Sequence, residues 1–450
     1  MTIPKPDILL LSLDDFIAQL RVLDISTFHC VFEASGEDER GRFVASHPIL
    51  QPLADFFARE ATDFDGHEGV FAQLGPKSGV LQNALAGIWW GGGKGVMARN
   101  TGHGLAHGAS PEARRLVYEE YGTFMRKRSS SPAHQPATHP FHSALKGCYV
   151  TAEDVGTNVI AARPFVQAAY ACHGLVNDMA AVFSKTRFTT CIPVELGGSG
   201  NPSVPTARGV VRGLEAAFDH LQKPLAGSSI AIQGAGHVGL PLVEFLLAKG
   251  VGRIVVADVD AFRLEIAAQH TRQLPNGDRV TYELVERGNM DILFKDCDAV
   301  CPCATGGILS ATTIPQIRAP IVCGAANNQL AHLETDAPLL KKHNICYVPD
   351  FLVNRMGIVH CADEAAGYAT PDPNIERHLG TEWDNAIYNL ARSVLKQADS
   401  NQQTPQEIAM ALAEERSREL HPITAHRSRV IIDTLVRSEE WLARIGRQTA

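Results

Sequence analysis

The chain of 450 residues is 45% apolar and 20% charged, enough to bury substantial cores and to form two domains. Its net charge of −8 and pI near 6.1 argue against a nucleic-acid or anionic-membrane partner, and no apolar run approaches bilayer-crossing length. The N-terminal MTIPKPDILLLSLDDF lacks the basic start and cleavage site of a signal peptide, and ten scattered cysteines read as reduced thiols, so the expected setting is the cytoplasm.

In chain order, Thr27–Phe32 is aromatic and β-branched, as an early strand would be. Gly91, Gly92 and Gly93 precede Lys94; without side chains, backbone and ligand can approach closely around one lysine. Gly102–Pro140 holds Arg126-Lys127-Arg128, a serine run and interspersed prolines, and reads as a decorated surface loop, with a lid over a cleft as the alternative. His103 and His107 have metal-like spacing, but the glycines around them disfavour the helix this needs, so no metal is expected. Thr151–Gly156 then brings Asp154 beside another glycine. A lysine and an aspartate sharing a cleft can pass protons at a carbon that loses hydride.

From Thr206 the pattern becomes alternating. A helix over Thr206–Leu221 leads to strand Ser229–Gln233, helix Leu240–Lys249, strand Arg253–Ala257 and helix Ala261–His270. Further buried-looking strands are Ala299–Cys301, Ile321–Cys323 and Tyr347–Val348. Apolar strands each followed by a helix predict a parallel sheet covered on both faces. After Asp350 the chain reads as helical across Glu382–Lys396, Pro405–Glu415 and Arg429–Arg447.

Gly234, Gly236 and Gly239 form G-x-G-x-x-G between the first of these strands and its helix, with His237 and Val238 inside the turn. Asp258 ends the following strand. That context predicts a dinucleotide site: glycines for the tight turn and pyrophosphate approach, helix N–H groups for the phosphates, and Asp258 for the adenosine ribose. A carboxylate there repels a 2′-phosphate and favours NAD over NADP, although nearby Arg263 leaves some NADP tolerance open.

Several motifs occur together: GGGKGVM at Gly91–Met97, TAEDVGTN at Thr151–Asn158, GGSGNPSVPTARGVVRG at Gly197–Gly213, GAGHVG at Gly234–Gly239, PCATGG at Pro302–Gly307, GAANNQL at Gly324–Leu330 and PDFLVNRMGIVHCADE at Pro349–Glu364. Jointly they resemble the glutamate/leucine/phenylalanine/valine dehydrogenase superfamily, nearest its leucine and phenylalanine branch. The resemblance implies an α/β enzyme with a substrate and oligomerisation domain over 1–200, a Rossmann domain over 201–355 and C-terminal helices over 356–450 returning to the first. It implies NAD-dependent oxidative deamination by a homo-oligomer. Lys94 would activate water and stabilise the carbinolamine, and Asp154 would shuttle protons. Thr206 and Asn327 or Asn328 would hold the nicotinamide carboxamide and the substrate amino group, while Ala304 and Thr305 line the cofactor path. Gly92, Ala152, Ile358 and Cys361 would fall around the substrate, although a cysteine such as Cys361 is more usually a buried inert thiol.

The substrate side departs from the family. Gln82 stands where the family has a lysine for the substrate α-carboxylate, and Arg355-Met356 follow Asn354 where it has small residues. Two readings follow. Arg355 replaces the lost cation and the substrate remains an amino acid, or the substrate lacks an α-carboxylate and is an amine or secondary alcohol. A non-catalytic cofactor-binding paralogue is the third, set against the presence of Lys94 and Asp154.

Overall fold

The computed structural model describes residues 28–34, 81–88, 92–98, 115, 118–119, 122, 151–152, 178–367, 371–417 and 419, the segments 28–34 and 92–98 as backbone. Asp154, the 102–140 segment apart from a few positions, and Arg429–Arg447 lie outside the described residues.

Strand β1 (Phe28–Ala34) pairs antiparallel with β2 (Gly92–Ala98), which sets Phe32 opposite Lys94 and Ala34 opposite Gly92. The larger sheet contains β3 (Ser229–Gln233), β4 (Arg253–Asp258), β5 (Val280–Leu284), β6 (Ala299–Pro302), β7 (Ile321–Val322) and β8 (Cys346–Tyr347). All of its pairings are parallel, in the order β5-β4-β3-β6-β7-β8. Chain direction across the sheet therefore reverses between β3 and β6. In such doubly wound sheets a crevice opens at the carboxyl ends of the two strands flanking that point, where dinucleotides bind.

Burial explains which strands could be read from sequence. β3 and β6 are buried almost throughout, so they appear as continuous apolar runs. β5 is an edge strand with no fully buried residue, and its VTYEL alternation was not among the expected strands. Tyr282 fastens it to the helix before it, through Thr271 at 2.7 Å and the Ala267 carbonyl at 3.3 Å.

Helix α1 (Asp178–Phe183) precedes α2 (Ser203–His220), which starts three residues before its expected position and packs on α3 (Gly239–Ala248). Helix α4 (Ala261–Thr271) begins where Asp260 accepts from the N–H groups of Phe262 and Arg263. Beyond it lie α5 (Leu333–Lys342), α6 (Asp350–Val353), α7 (Met356–Ala365), α8 (Pro373–Leu379), α9 (Ile387–Asn401) and α10 (Pro405–Ser417). The helix expected from Glu382 starts at Ile387 instead. Residues 381–386 form a turn, in which Ala386 N–H donates to Trp383 and the Asn389 amide to the Thr381 and Trp383 carbonyls.

The larger of the two core clusters that flank the sheet joins most of these elements. Residues Leu81, Ala84, Leu85 and Ala86 of the helical segment 81–86 share it with α2, α3, the sheet and α9. α9 runs along α2, and α10 packs on α9 and α5. No helix among the described residues is long and apolar enough to cross a membrane.

Candidate active site

The turn after β3 is built for close approach. Gly234 has φ +99°, and a Cβ there would meet Ala304 at 2.9 Å; a Cβ on Gly239 would lie 1.9 Å from the Gly234 carbonyl. The loop after β6 thus presses Ala304 onto the glycine turn, while Ala304 itself stays exposed and Thr305 half-buried. Among the described residues, the N–H groups of Gly236 and Val238 donate to no protein acceptor, and His237 is half-buried beside them. Free N–H groups at the start of α3 form a cradle that fits a pyrophosphate.

Asp258 closes the turn. Its carboxylate accepts from Ala235 N–H at 2.7 Å and Asp260 N–H at 3.0 Å, which fixes it at the carboxyl end of β4. Beside it, Val259, Leu284, Val285, Glu286 and Arg287 line a surface pocket. Val259 is 52% and Leu284 61% exposed, so apolar surface is open beside Asp258. These residues fit a nicotinamide dinucleotide.

At the other end of the crevice the loops after β6 and β7 interlock. Gly306 lies so close to Asn327 that a Cβ would stand 2.3 Å from its carbonyl oxygen. Gly307 N–H donates to the Asn328 carbonyl at 2.7 Å. Asn328 has φ +54°, and its N–H donates to the Asp350 carboxylate at 2.5 Å. Burial raises the Asp350 pKa to about 6, against the lowering effect of that N–H and others. Asp350 was not singled out from sequence, although it stands in the same PDFLVN segment as Asn354.

Next to this loop three side-chain amides bond to one another. Gln82 Nε2 donates to Asn354 Oδ1 at 2.7 Å and to Asn327 Oδ1 at 3.3 Å. Asn354 Nδ2 donates to Asn327 Oδ1 at 2.8 Å and to the Ala325 carbonyl at 3.0 Å. Gln82 and Asn327, expected at the substrate, are thus together, and Asn354 is the member that sequence reading missed.

Arg355 does not join them, which corrects the expectation that it replaces the missing cation. It is fully buried, and its guanidinium donates to the Leu85 carbonyl at 2.8 Å, to His378 Nδ1 at 3.3 Å and to the Asn385 carbonyl. Asn385 Nδ2 and Arg416 Nη1 reach the same Leu85 oxygen at 2.8 and 3.4 Å. The carbonyls ending a helix lack intrahelical partners and favour cations, so Arg355 acts as a cap on the segment that carries Gln82. Burial, then repulsion from Arg416, lowers its pKa to about 9. His378 falls to about 3 through burial and the positive Arg355 and Arg377, so its neutral ring accepts the bond.

Thr206 lies buried on α2, where its hydroxyl donates to the Pro202 carbonyl at 2.9 Å and stands 3.0 Å from where a Gly357 side chain would begin. Cys361 is nearly buried in an apolar cluster with Tyr118, Met179, Val182 and Cys191, against which Ala152 packs; its sulfur lies 3.4 Å from that of Cys191. Ile358, half-buried on α7, stands one turn before it. The Glu364 carboxylate gathers Cys191 N–H, Ile192 N–H, and the N–H and hydroxyl of Ser199, tying α7 to the loop that leads into α2.

Comparison with known proteins gives the family of the chain. The family model for glutamate/leucine/phenylalanine/valine dehydrogenase matches residues 197–422. Valine dehydrogenase of Streptomyces coelicolor is 33% identical over 349 residues, 76% of this chain and 78% of that protein. Leucine dehydrogenase of Thermoactinomyces intermedius is 34% identical over 232 residues, 51% of this chain and 55% of that one. The structure of L-tryptophan dehydrogenase from Nostoc punctiforme superposes with a TM-score of 0.50 at 26% identity, covering 76% of this chain and 81% of that one. The chain therefore belongs to the glutamate/leucine/phenylalanine/valine dehydrogenase family and is an oxidoreductase of the amino acid dehydrogenase kind.

Proposed function

We propose that the protein is an NAD-linked dehydrogenase that oxidatively deaminates a substrate other than the common branched-chain or aromatic amino acids. The observation that carries the cofactor half is the Asp258 carboxylate, held on Ala235 N–H at the end of the glycine turn. A carboxylate in that place accepts from ribose hydroxyls and repels a 2′-phosphate. When bound, the nicotinamide supplies the hydride acceptor. Lys94 would then activate water and stabilise the carbinolamine, and Asp154 would move protons to and from the amine. A lysine whose pKa is lowered by desolvation suits a base near neutral pH.

The substrate half rests on Gln82, a neutral amide at the position where the family has a cation. Burying a carboxylate without a cation is costly, so this position favours a different headgroup. The same amide supports a second reading, in which a secondary alcohol or a simple amine is oxidised. Residues 1–200 would form the substrate domain, 201–355 the cofactor domain and 356–450 the closing helices, in a cytoplasmic homo-oligomer. The experiment is NADH formation with ammonia release across amino acids, amines and alcohols, with NAD and NADP compared for the wild type and Asp258→Ala. The variant should lose preference for NAD; an unchanged NAD/NADP ratio removes the ribose role from Asp258.

A further inference from the structure

The three amides beside the cofactor loop have their orientations dictated by one backbone oxygen. The Ala325 carbonyl only accepts, so Asn354 must turn its Nδ2 toward it, at 3.0 Å. Asn354 Oδ1 then faces Gln82, which must present Nε2, at 2.7 Å. The second Nδ2 hydrogen of Asn354 requires an oxygen from Asn327, at 2.8 Å, and Gln82 Nε2 shares that oxygen at 3.3 Å. Both amide hydrogens of Gln82 and both of Asn354 are now used, and Asn327 Oδ1 has its two donors.

Two groups are left over: the Gln82 Oε1 acceptor and the Asn327 Nδ2 donor pair. Among the described residues neither has a protein partner, both side chains are half-buried, and no lysine or arginine there bonds to the three amides. Arg355, the nearest cation in sequence, is held on Leu85 and Asn385. Asn327 is pinned against the cofactor-side loop by Gly306.

We propose that Gln82 and Asn327 form the subsite for the group attached to the reacting carbon, and that this group is a primary carboxamide rather than a carboxylate. The inference rests on the deamination reading and names its substrate class, an α-amino amide. A primary carboxamide carries one acceptor and one donor on a single carbon. Its oxygen accepts from Asn327 Nδ2, and its NH2 donates to Gln82 Oε1. A carboxylate has only acceptors, so one of its oxygens meets the lone pairs of Gln82 Oε1. Turning Gln82 over would relieve that clash but set its oxygen against Asn354 Oδ1, and Asn354 cannot turn while its amide serves Ala325. Leaving such polar groups mispaired once a bound substrate covers them is what makes hydrogen-bonding sites discriminate strongly.

The reaction keeps the family's chemistry. The hydride leaves Cα for the nicotinamide, the amine gives up a proton, and the C=N bond forms. Water adds to that carbon, the C–N bond breaks and ammonium departs. The sum is R-CH(NH3+)-CONH2 + NAD+ + H2O → R-CO-CONH2 + NADH + NH4+ + H+, with the carboxamide unchanged.

The test sets L-valine, L-leucine and L-phenylalanine against L-valinamide, L-leucinamide and L-phenylalaninamide, and against isobutylamine, isoamylamine and phenethylamine. NADH and ammonia are both measured. The expected result is a kcat/KM for the best amide on the order of 10²-fold above that of its acid and its amine, with Gln82→Lys reversing the acid–amide order. Wild-type preference for an acid, or equal turnover of amide and amine, overturns the carboxamide subsite while leaving deamination intact. Absence of both products from every compound, with NAD binding retained, overturns the deamination reading and the subsite with it. The wild-type comparison stands whether or not Gln82→Lys folds, which thermal melting and NAD binding report.

Discussion

Arg355 Nη1 donates to the carbonyl oxygen of Leu85 across 2.8 Å, joining two residues 270 positions apart. That oxygen lies near the end of the helical segment that carries Gln82. The bond links the stability of the C-terminal helices to the position of Gln82. Arg355→Met should destabilise the protein by roughly 2–4 kcal/mol, because His378 Nδ1 and the Asn385 carbonyl lose a buried donor. Denaturant unfolding measures the loss, and KM should rise more than kcat falls. A variant as stable as the wild type would show that Asn385 and Arg416 suffice as the cap.

His378 makes stability depend on pH with a definite sign. Its folded pKa, about 3, lies below the ordinary 6.5, so the unfolded chain takes up a proton that the folded one refuses. Its contribution is present above pH 6.5 and is lost progressively as pH falls toward 3. Relative to His378→Asn, which keeps an acceptor for Arg355, the wild type should lose about 2 kcal/mol between pH 7 and pH 5. Melting curves of both proteins at the two pH values check this; a constant difference contradicts it.

Asp350 acts in the opposite direction. Its folded pKa is raised to about 6, so its contribution is present below the ordinary 3.8 and is lost as pH rises through 6. Between pH 4 and 6 it therefore opposes the slope set by His378. Asp350→Asn, which removes the titration and keeps an acceptor for Asn328, should make stability climb more steeply with pH over that interval. Unfolding free energies at half-unit steps from pH 4 to 6.5 would reveal it, and parallel curves would exclude it.

Gly306→Ala places a methyl group 2.3 Å from the Asn327 carbonyl, where only backbone can yield. Asn327 must shift, and the Gln82–Asn327–Asn354 cluster with it. The expected outcome is about tenfold or greater loss of kcat/KM with the fold retained, read from steady-state kinetics beside a thermal melt. Unchanged kinetics would place the reacting carbon away from this cluster.

Lys94→Ala and Asp154→Asn should each lower turnover by about 10²–10⁴-fold while NAD binding is retained. Cofactor titration by fluorescence and turnover on the best compound of the substrate screen separate the two effects. Wild-type turnover in either variant removes that residue from the proton path.

The amino-acid sequence by itself determined the parallel-sheet domain and its glycine turn, because their signals are local. β3, the glycine turn and Asp258 lie within about thirty residues, and buried parallel strands stand out as apolar runs. β5 escaped detection because an edge strand buries too little to impose an apolar pattern. The partners of Gln82 were decided by tertiary structure. Gln82 meets partners 245 and 272 residues away, and nothing in the sequence around it states that its amide hydrogens go to Asn327 and Asn354. Arg355 shows the same limit. A charge beside a family motif suggested a substrate role, but the 81–86 segment and the turn before α9 gave its guanidinium the Leu85 and Asn385 oxygens to satisfy. Side-chain identity can be read along the chain; the partner that satisfies a buried polar group depends on which distant segments the core brings against it.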